Sequence, residues 1–151
     1  MISWHSRVFV YVFDLHVADF SLDNKYIAAF ISKLRFHFKQ HYKIKRLGYA
    51  WCREQNTSPR QHYHMAIIVD GSKIQNPIRL FHKIKLMWDE VTLGGHLHGL
   101  ENCYYNIKRD TEINKAEAIE RLSYQAKVWT KDKNTARAND YGTSRIRPKP
   151  T

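Results

Sequence analysis

The sequence predicts an α+β domain: a ferredoxin-like or RRM-like antiparallel or mixed sheet in the order βαββαβα, with helices on one face. Three observations carry this. β-branched and aromatic runs alternate with segments of helical period. The two central strand-like runs are separated only by a stretch of turn composition, which splits the βαβ pattern and suits a layered sheet. The chain has 151 residues, 43% hydrophobic and 13% aromatic, enough to core one domain and too apolar for default disorder.

Val8 to Leu15 is β-branched and aromatic and reads as the first strand. Ser21 or Asp23 then caps a helix reaching about His41, in which Tyr26, Ile27, Phe30, Leu34 and Phe38 recur at helical spacing. Tyr49 to Gln55 reads as a strand, Asn56 to Arg60 as a turn, and His62 to Val69 as a strand ending at Asp70-Gly71. Asn76-Pro77 opens a helix by cap and first-turn proline. Its apolar positions are Ile78, Phe81, Ile84, Leu86 and Trp88, and it stops at Gly94-Gly95. Leu100 to Ile107 forms a fourth strand. Asn114 with Glu117 resembles a capping box for a last helix from Lys115 to Lys131, striped by Ile119, Leu122, Ala126 and Trp129. From 135 to 151 the chain reads as a basic, loosely ordered tail.

Charge narrows the partners. Lys and Arg number 25 against 14 Asp and Glu, a net charge of +11. That balance favours a polyanion, either nucleic acid or an acidic membrane surface. No run approaches the length of a membrane span, and the first residues lack a signal-peptide pattern. The expected location is therefore the cytoplasm. Cys52 and Cys103 read as reduced core cysteines, and no Cys-x-x-Cys pair supports a zinc knuckle.

The sharpest local signal is His62-Tyr63-His64. Alternate residues of a strand share a face, so the two imidazoles point the same way, about 6–7 Å apart. Two imidazoles on a rigid element make half a metal site. A hairpin register with Glu54 opposite His62 adds a carboxylate on that face. Asp14 or His16, at the end of the first strand, can line the same site. The competing reading is a half-exposed strand with polar residues outward. Against it, the run after His64 is apolar on both faces, as in a covered central strand.

Tyr124 and Lys127 lie off the stripe of the last helix and three residues apart, hence on one helix face. A phenol ionises near pH 10, so a nearby cation must favour its phenolate if it is to act as a nucleophile. A surface tyrosine beside a solvated lysine is the simpler alternative. Two similar motifs compete for these roles. His96-Leu97-His98 is flanked by glycines and reads as a loop or strand edge. Tyr105-Asn106-Ile107-Lys108 lies in a strand, where residues three apart face opposite ways.

Together these motifs resemble the HUH endonucleases: rolling-circle replication initiators, relaxases and single-tyrosine transposases. His62-Tyr63-His64 is similar to the H-U-H element, with an aromatic middle residue. Tyr124-Gln125-Ala126-Lys127 is similar to the Y-x-x-K element. Trp51-Cys52-Arg53-Glu54-Gln55, Ser123 to Lys127 and Tyr141-Gly142-Thr143-Ser144 narrow the likeness. It points to the inovirus replication-protein family, also called the YagK/YfjJ C-terminal domain family, from about Val8 to Arg145. The resemblance implies a nuclease domain over 1–134 with its metal site on the face opposite the helices. Glu54, His62 and His64 would hold a divalent ion, Mn²⁺ or Mg²⁺. Tyr124 would be the nucleophile, with Lys127 beside the phosphate. Arg53 and Arg60 would contact nucleic acid.

The implied activity is metal-dependent nicking and joining of single-stranded or hairpin DNA through a 5′-phosphotyrosine, at the start of rolling-circle replication of a phage or mobile element in a bacterial host. The alternatives are a single-tyrosine transposase, or a catalytically idle DNA-binding module on the same fold. A general RRM-like RNA binder is a weaker alternative, because its aromatic signature is missing from the first and third strands.

Overall fold

The computed structural model describes residues 1–54, 61–128 and 139–151, with backbone alone for 125–128. Its elements are β1 (Arg7–His16), α1 (Lys25–Tyr42), β2 (Gly48–Glu54), β3 (His62–Asp70), α2 (Ile78–Thr92), β4 (His96–Lys108), α3 (Lys115–Val128) and β5 (Tyr141–Thr143). The strands form one sheet in the order β4-β1-β3-β2-β5, and every pairing is antiparallel. The fold class is therefore α+β with an open antiparallel sheet.

Period-two alternation divides β1 between two cores. Phe9, Tyr11, Phe13 and Leu15 point to one face, where with Tyr63, Met65 and Ile67 of β3 they meet Phe30, Leu34 and Phe38 of α1 and Ile84 and Trp88 of α2. Val8, Val10 and Val12 point to the other face and pack with Ala66, Tyr105, Ile107 and, from α3, Ala118 and Leu122. The helix pair α1 and α2 thus covers one side. On the opposite side α3 covers only the half of the sheet near the start of β1. The other half of that side, around Asp14 and His16, carries polar residues.

Helix ends follow local chemistry. Asp23 Oδ1 accepts from the Lys25 amide at 3.1 Å, and Asn76 Oδ1 accepts from the Ile78 amide at 2.9 Å. α2 ends at Leu93, whose φ of 55° is left-handed, followed by Gly94 at φ 120°. Asn114 has φ 64°, and its side-chain amide donates to the Asn106 carbonyl at 3.0 Å, tying the start of α3 to β4.

The structure corrects several expectations. In α2 the buried positions are Leu80, Ile84, Met87, Trp88 and Thr92, while Ile78 and Leu86 are exposed. In α3 Ala118 is buried and Ile119 exposed. Both helices carry more apolar residues than one face accommodates, so spacing alone left two choices of stripe. Trp129, the last of the expected α3 stripe, lies outside the described residues. β4 begins at His96 rather than Leu100. β5 pairs with β2 through Ala50–Thr143 and Cys52–Tyr141, inside the stretch expected to be a tail. Farther on, Trp4 Nε1 donates to the Arg147 carbonyl at 2.8 Å.

Candidate metal centre

The centre arises from register. β2 and β3 place Glu54 opposite His62, the register assumed for the hairpin, and β1 and β3 place Asp14 opposite His64 and His16 opposite His62. All five side chains therefore stand on one face, beyond the end of the Val8–Val12 core. His62 Nε2 lies 3.0 Å and His64 Nε2 2.7 Å from Glu54 Oε2. The three ligand atoms of Glu54, His62 and His64 lie within 4.8 Å of one another. Each of these side chains is 14–20% exposed, sheltered but open to an ion.

On the far side of the His64 ring, Nδ1 is 2.7 Å from Asp14 Oδ1. His64 thus has a carboxylate oxygen at both nitrogens. A neutral ring has one N–H, and its other nitrogen would meet a carboxylate lone pair to lone pair. Two such contacts require a proton beyond the neutral ring's own N–H, on the second nitrogen or on a carboxyl, or a cation in place of the Nε2 proton. Burial works against the imidazolium, but hydrogen bonds to Asp14 and Glu54 outweigh it and hold the His64 pKa above the ordinary value. For His62, burial and the neighbouring His64 charge win over Glu54 and lower the pKa. That favours the neutral ring, the state that ligates metal.

The donor set fits a divalent ion. Two imidazole nitrogens and one carboxylate suit Mn²⁺, Co²⁺ or Zn²⁺ intrinsically, and Mg²⁺ where it is abundant. With an ion bound there, Asp14 would complete a carboxylate–histidine–metal arrangement, fixing the His64 tautomer through its 2.7 Å contact with Nδ1.

A family model for the YagK/YfjJ C-terminal domain matches residues 1–144. The chain belongs to that family. No curated protein and no solved structure matches it. Membership of the YagK/YfjJ family and the Glu54–His62–His64 group are both compatible with a nuclease-like, metal-binding protein. Among the described residues, no helix is long and apolar enough to cross a membrane.

The remaining expected site residues of this YagK/YfjJ domain are placed as follows. Tyr124 lies on the same side of the sheet as the metal centre and is 67% exposed. It lines a cavity of about 760 Å³ between α3 and β4 with Tyr104, Tyr105, Glu117, Glu120 and Arg121. None of the three candidate ligands lines that cavity. Lys127 lies on α3, but its side chain is outside the described residues, as is all of Arg60.

Arg53 points to the α1–α2 side, away from the centre, and is buried. Its guanidinium donates to the Ser21 carbonyl at 2.6 Å and to Gln61 Oε1 at 3.3 Å. That use ties β2 to the segment before α1 and leaves little surface for a phosphate. Composition offered no sign of this, because an arginine at a strand end reads the same whether it faces solvent or core.

Tyr105 is buried between sheet and α3, and burial pushes its phenol up. His96 and His98 are not in a loop. They open β4, paired with His16 and Asp14 of β1, and so share the face of the metal centre. The glycines that suggested a loop serve packing: a Cβ on Gly95 would fall 2.6 Å from the His16 carbonyl oxygen.

Proposed function

We propose that this domain is a metal-dependent endonuclease and strand transferase for single-stranded or hairpin DNA. It would initiate rolling-circle replication of a phage or mobile element. The observation that carries this reading is the convergence of Glu54, His62 and His64, backed by Asp14, on the side of the sheet that α3 brings Tyr124 to. An ion held there supplies Lewis-acid polarisation of a phosphate oxygen. Glu54, His62 and His64 hold that charge at a fixed point of a rigid sheet, and the net charge of +11 draws in the DNA backbone.

The Tyr124 phenol oxygen forms the new bond to phosphorus while the bond from phosphorus to the 3′ oxygen breaks. The phenolic proton ends on the released 3′-hydroxyl, and the 5′ phosphate remains on the tyrosine. The linkage keeps the phosphodiester energy, so the strand can be rejoined. Lys127 serves the phosphate or the phenolate from the same helix.

One observation favours a second reading: Tyr124 lines a cavity apart from the candidate ligands, as it would in a catalytically idle DNA-binding module. A single experiment separates them. Single-stranded and hairpin oligonucleotides from the flanking element are incubated with the protein and Mn²⁺ or Mg²⁺, then run on a denaturing gel. The nuclease reading expects a protein–DNA adduct that Tyr124→Phe abolishes. Binding of DNA without an adduct under all these conditions leaves the idle module.

A further inference from the structure

The polar patch extends well beyond the three candidate ligands. Across the sheet, Glu54, His62, His16 and His96 stand opposite one another in one row, and Cys52, His64, Asp14 and His98 in the next. The two H-x-H pairs, on β3 and β4, therefore flank β1 symmetrically. Glu54, His62 and His64 account for the β3 side. His16, His96 and His98 gather on the β4 side, with ring centroids 4.6 Å apart for His16–His96 and 6.4 Å for His16–His98, while the His16 ring also stacks on His62 at 5.2 Å and so stands between the two pairs.

We propose that His16, His96 and His98 form a second metal site, built of three imidazoles and selective for Zn²⁺ or a similar borderline-soft ion. The inference is independent of the nuclease reading. An H-x-H pair on one strand with a histidine directly opposite on its antiparallel neighbour puts three imidazoles on one face within side-chain reach of one point above the sheet; among the described residues only Glu54, His62 and His64 already converge to within 4.8 Å, so the β4-side rings must turn to do the same. Tetrahedral zinc with bonds of about 2.0–2.1 Å sets ring centroids about 5 Å apart, a value the two observed separations bracket.

In the structure the His16 and His96 rings lie stacked, 3° from parallel, so His96 must turn about its side-chain bonds to ligate. It is free to do so. His96 and His98 are exposed, and among the described residues neither ring has a hydrogen-bond partner. The group has no carboxylate in its donor set, because Asp14 is engaged by His64. All-nitrogen donors favour Zn²⁺, Co²⁺ or Ni²⁺ over Mg²⁺ and Mn²⁺, which the carboxylate-bearing β3 site accepts more readily. Three ligands leave a fourth position for water or a substrate oxygen.

The test is zinc stoichiometry of the full chain by native mass spectrometry, with the visible absorption of the Co²⁺ form as a second readout. The wild type is expected to take two ions. His96→Ala with His98→Ala should take one and keep its Mn²⁺-dependent heat stabilisation. His62→Ala with His64→Ala should also take one zinc, lose the Mn²⁺ effect, and keep a Co²⁺ band that disappears when all four histidines are replaced. Because His96 and His98 are exposed, their loss should leave the fold intact, which circular dichroism checks. A wild type that takes a single zinc overturns the proposal, as does a His96/His98 variant that still takes two. The DNA-adduct assay is not involved, so failure here leaves the nuclease reading untouched.

Discussion

Asp14 Oδ1 lies 2.7 Å from His64 Nδ1, across the antiparallel pairing of β1 and β3, while Glu54 holds the other nitrogen of the same ring at 2.7 Å. Asp14 contributes no ligand atom to the Glu54–His62–His64 group, but it sets the ring's tautomer and angle. Asp14→Asn keeps the size and removes the charge. Metal affinity should fall roughly 10–100-fold, with the fold unchanged. Titration with Mn²⁺ monitored by calorimetry checks this; an unchanged affinity would show that Asp14 does not tune the site.

His62→Ala with His64→Ala should abolish stabilisation by Mn²⁺. For the wild type, free ion at a hundredfold excess over Kd should stabilise by about 2.7 kcal/mol, visible as a rise in Tm. Glu54→Gln should reduce the shift, since it loses the anionic donor. A Mn²⁺ shift that survives the histidine pair and vanishes with His96 and His98 would move this site to β4.

The pH response has a definite sign. The His64 pKa is raised, so without metal its imidazolium contributes stability fully present below the unfolded value of about 6.5 and lost as pH rises through the folded value. Metal needs the Nε2 lone pair, so its affinity should run the other way, increasing with pH, and binding near neutrality should release a proton. Calorimetry in buffers of different ionisation enthalpy measures the release. A binding heat independent of buffer would mean that His64 is already neutral without metal.

Tyr124→Phe should leave folding and DNA affinity intact and eliminate the covalent adduct, because an exposed phenol loses only its hydroxyl. Tyr105→Phe should keep the adduct, since Tyr105 is buried and its phenol is harder to ionise. The reverse pattern on a denaturing gel would reassign the nucleophile.

Gly95→Ala should cost about 1–3 kcal/mol, a typical price of overpacking. The added Cβ would meet Thr92 Oγ1, and would lie 2.6 Å from the His16 carbonyl oxygen and 2.8 Å from Trp88 Nε1. It would also disturb the 2.8 Å hydrogen bond from Trp88 Nε1 to that carbonyl. Urea denaturation checks the loss, and a midpoint equal to the wild type would mean the turn yields freely.

The shared face of His62 and His64 was legible in the residues alone, because alternation along a strand is a local property of the backbone. So were the α1 core stripe and the basic charge, whereas the Glu54–His62 register was an assumption that the β2–β3 pairing bears out. What only the tertiary structure decided was long-range. Whether α2 turns Leu80 or Ile78 inward depends on what the sheet offers beneath it, and the same holds for Ala118 against Ile119 in α3. The buried role of Arg53 follows from the segment 21–24 folding over it. The β1–β4 register, with an irregularity between Tyr11 and Phe13, brings His96 and His98 beside His16 and Asp14 across some eighty residues of chain. Glycines at 94, 95 and 99 suggested a loop there. Gly94 instead supplies a φ of 120°, and the small size of Gly95 and Gly99 allows the close approach of His16, Trp88 and Phe81, a requirement set by neighbours remote in sequence.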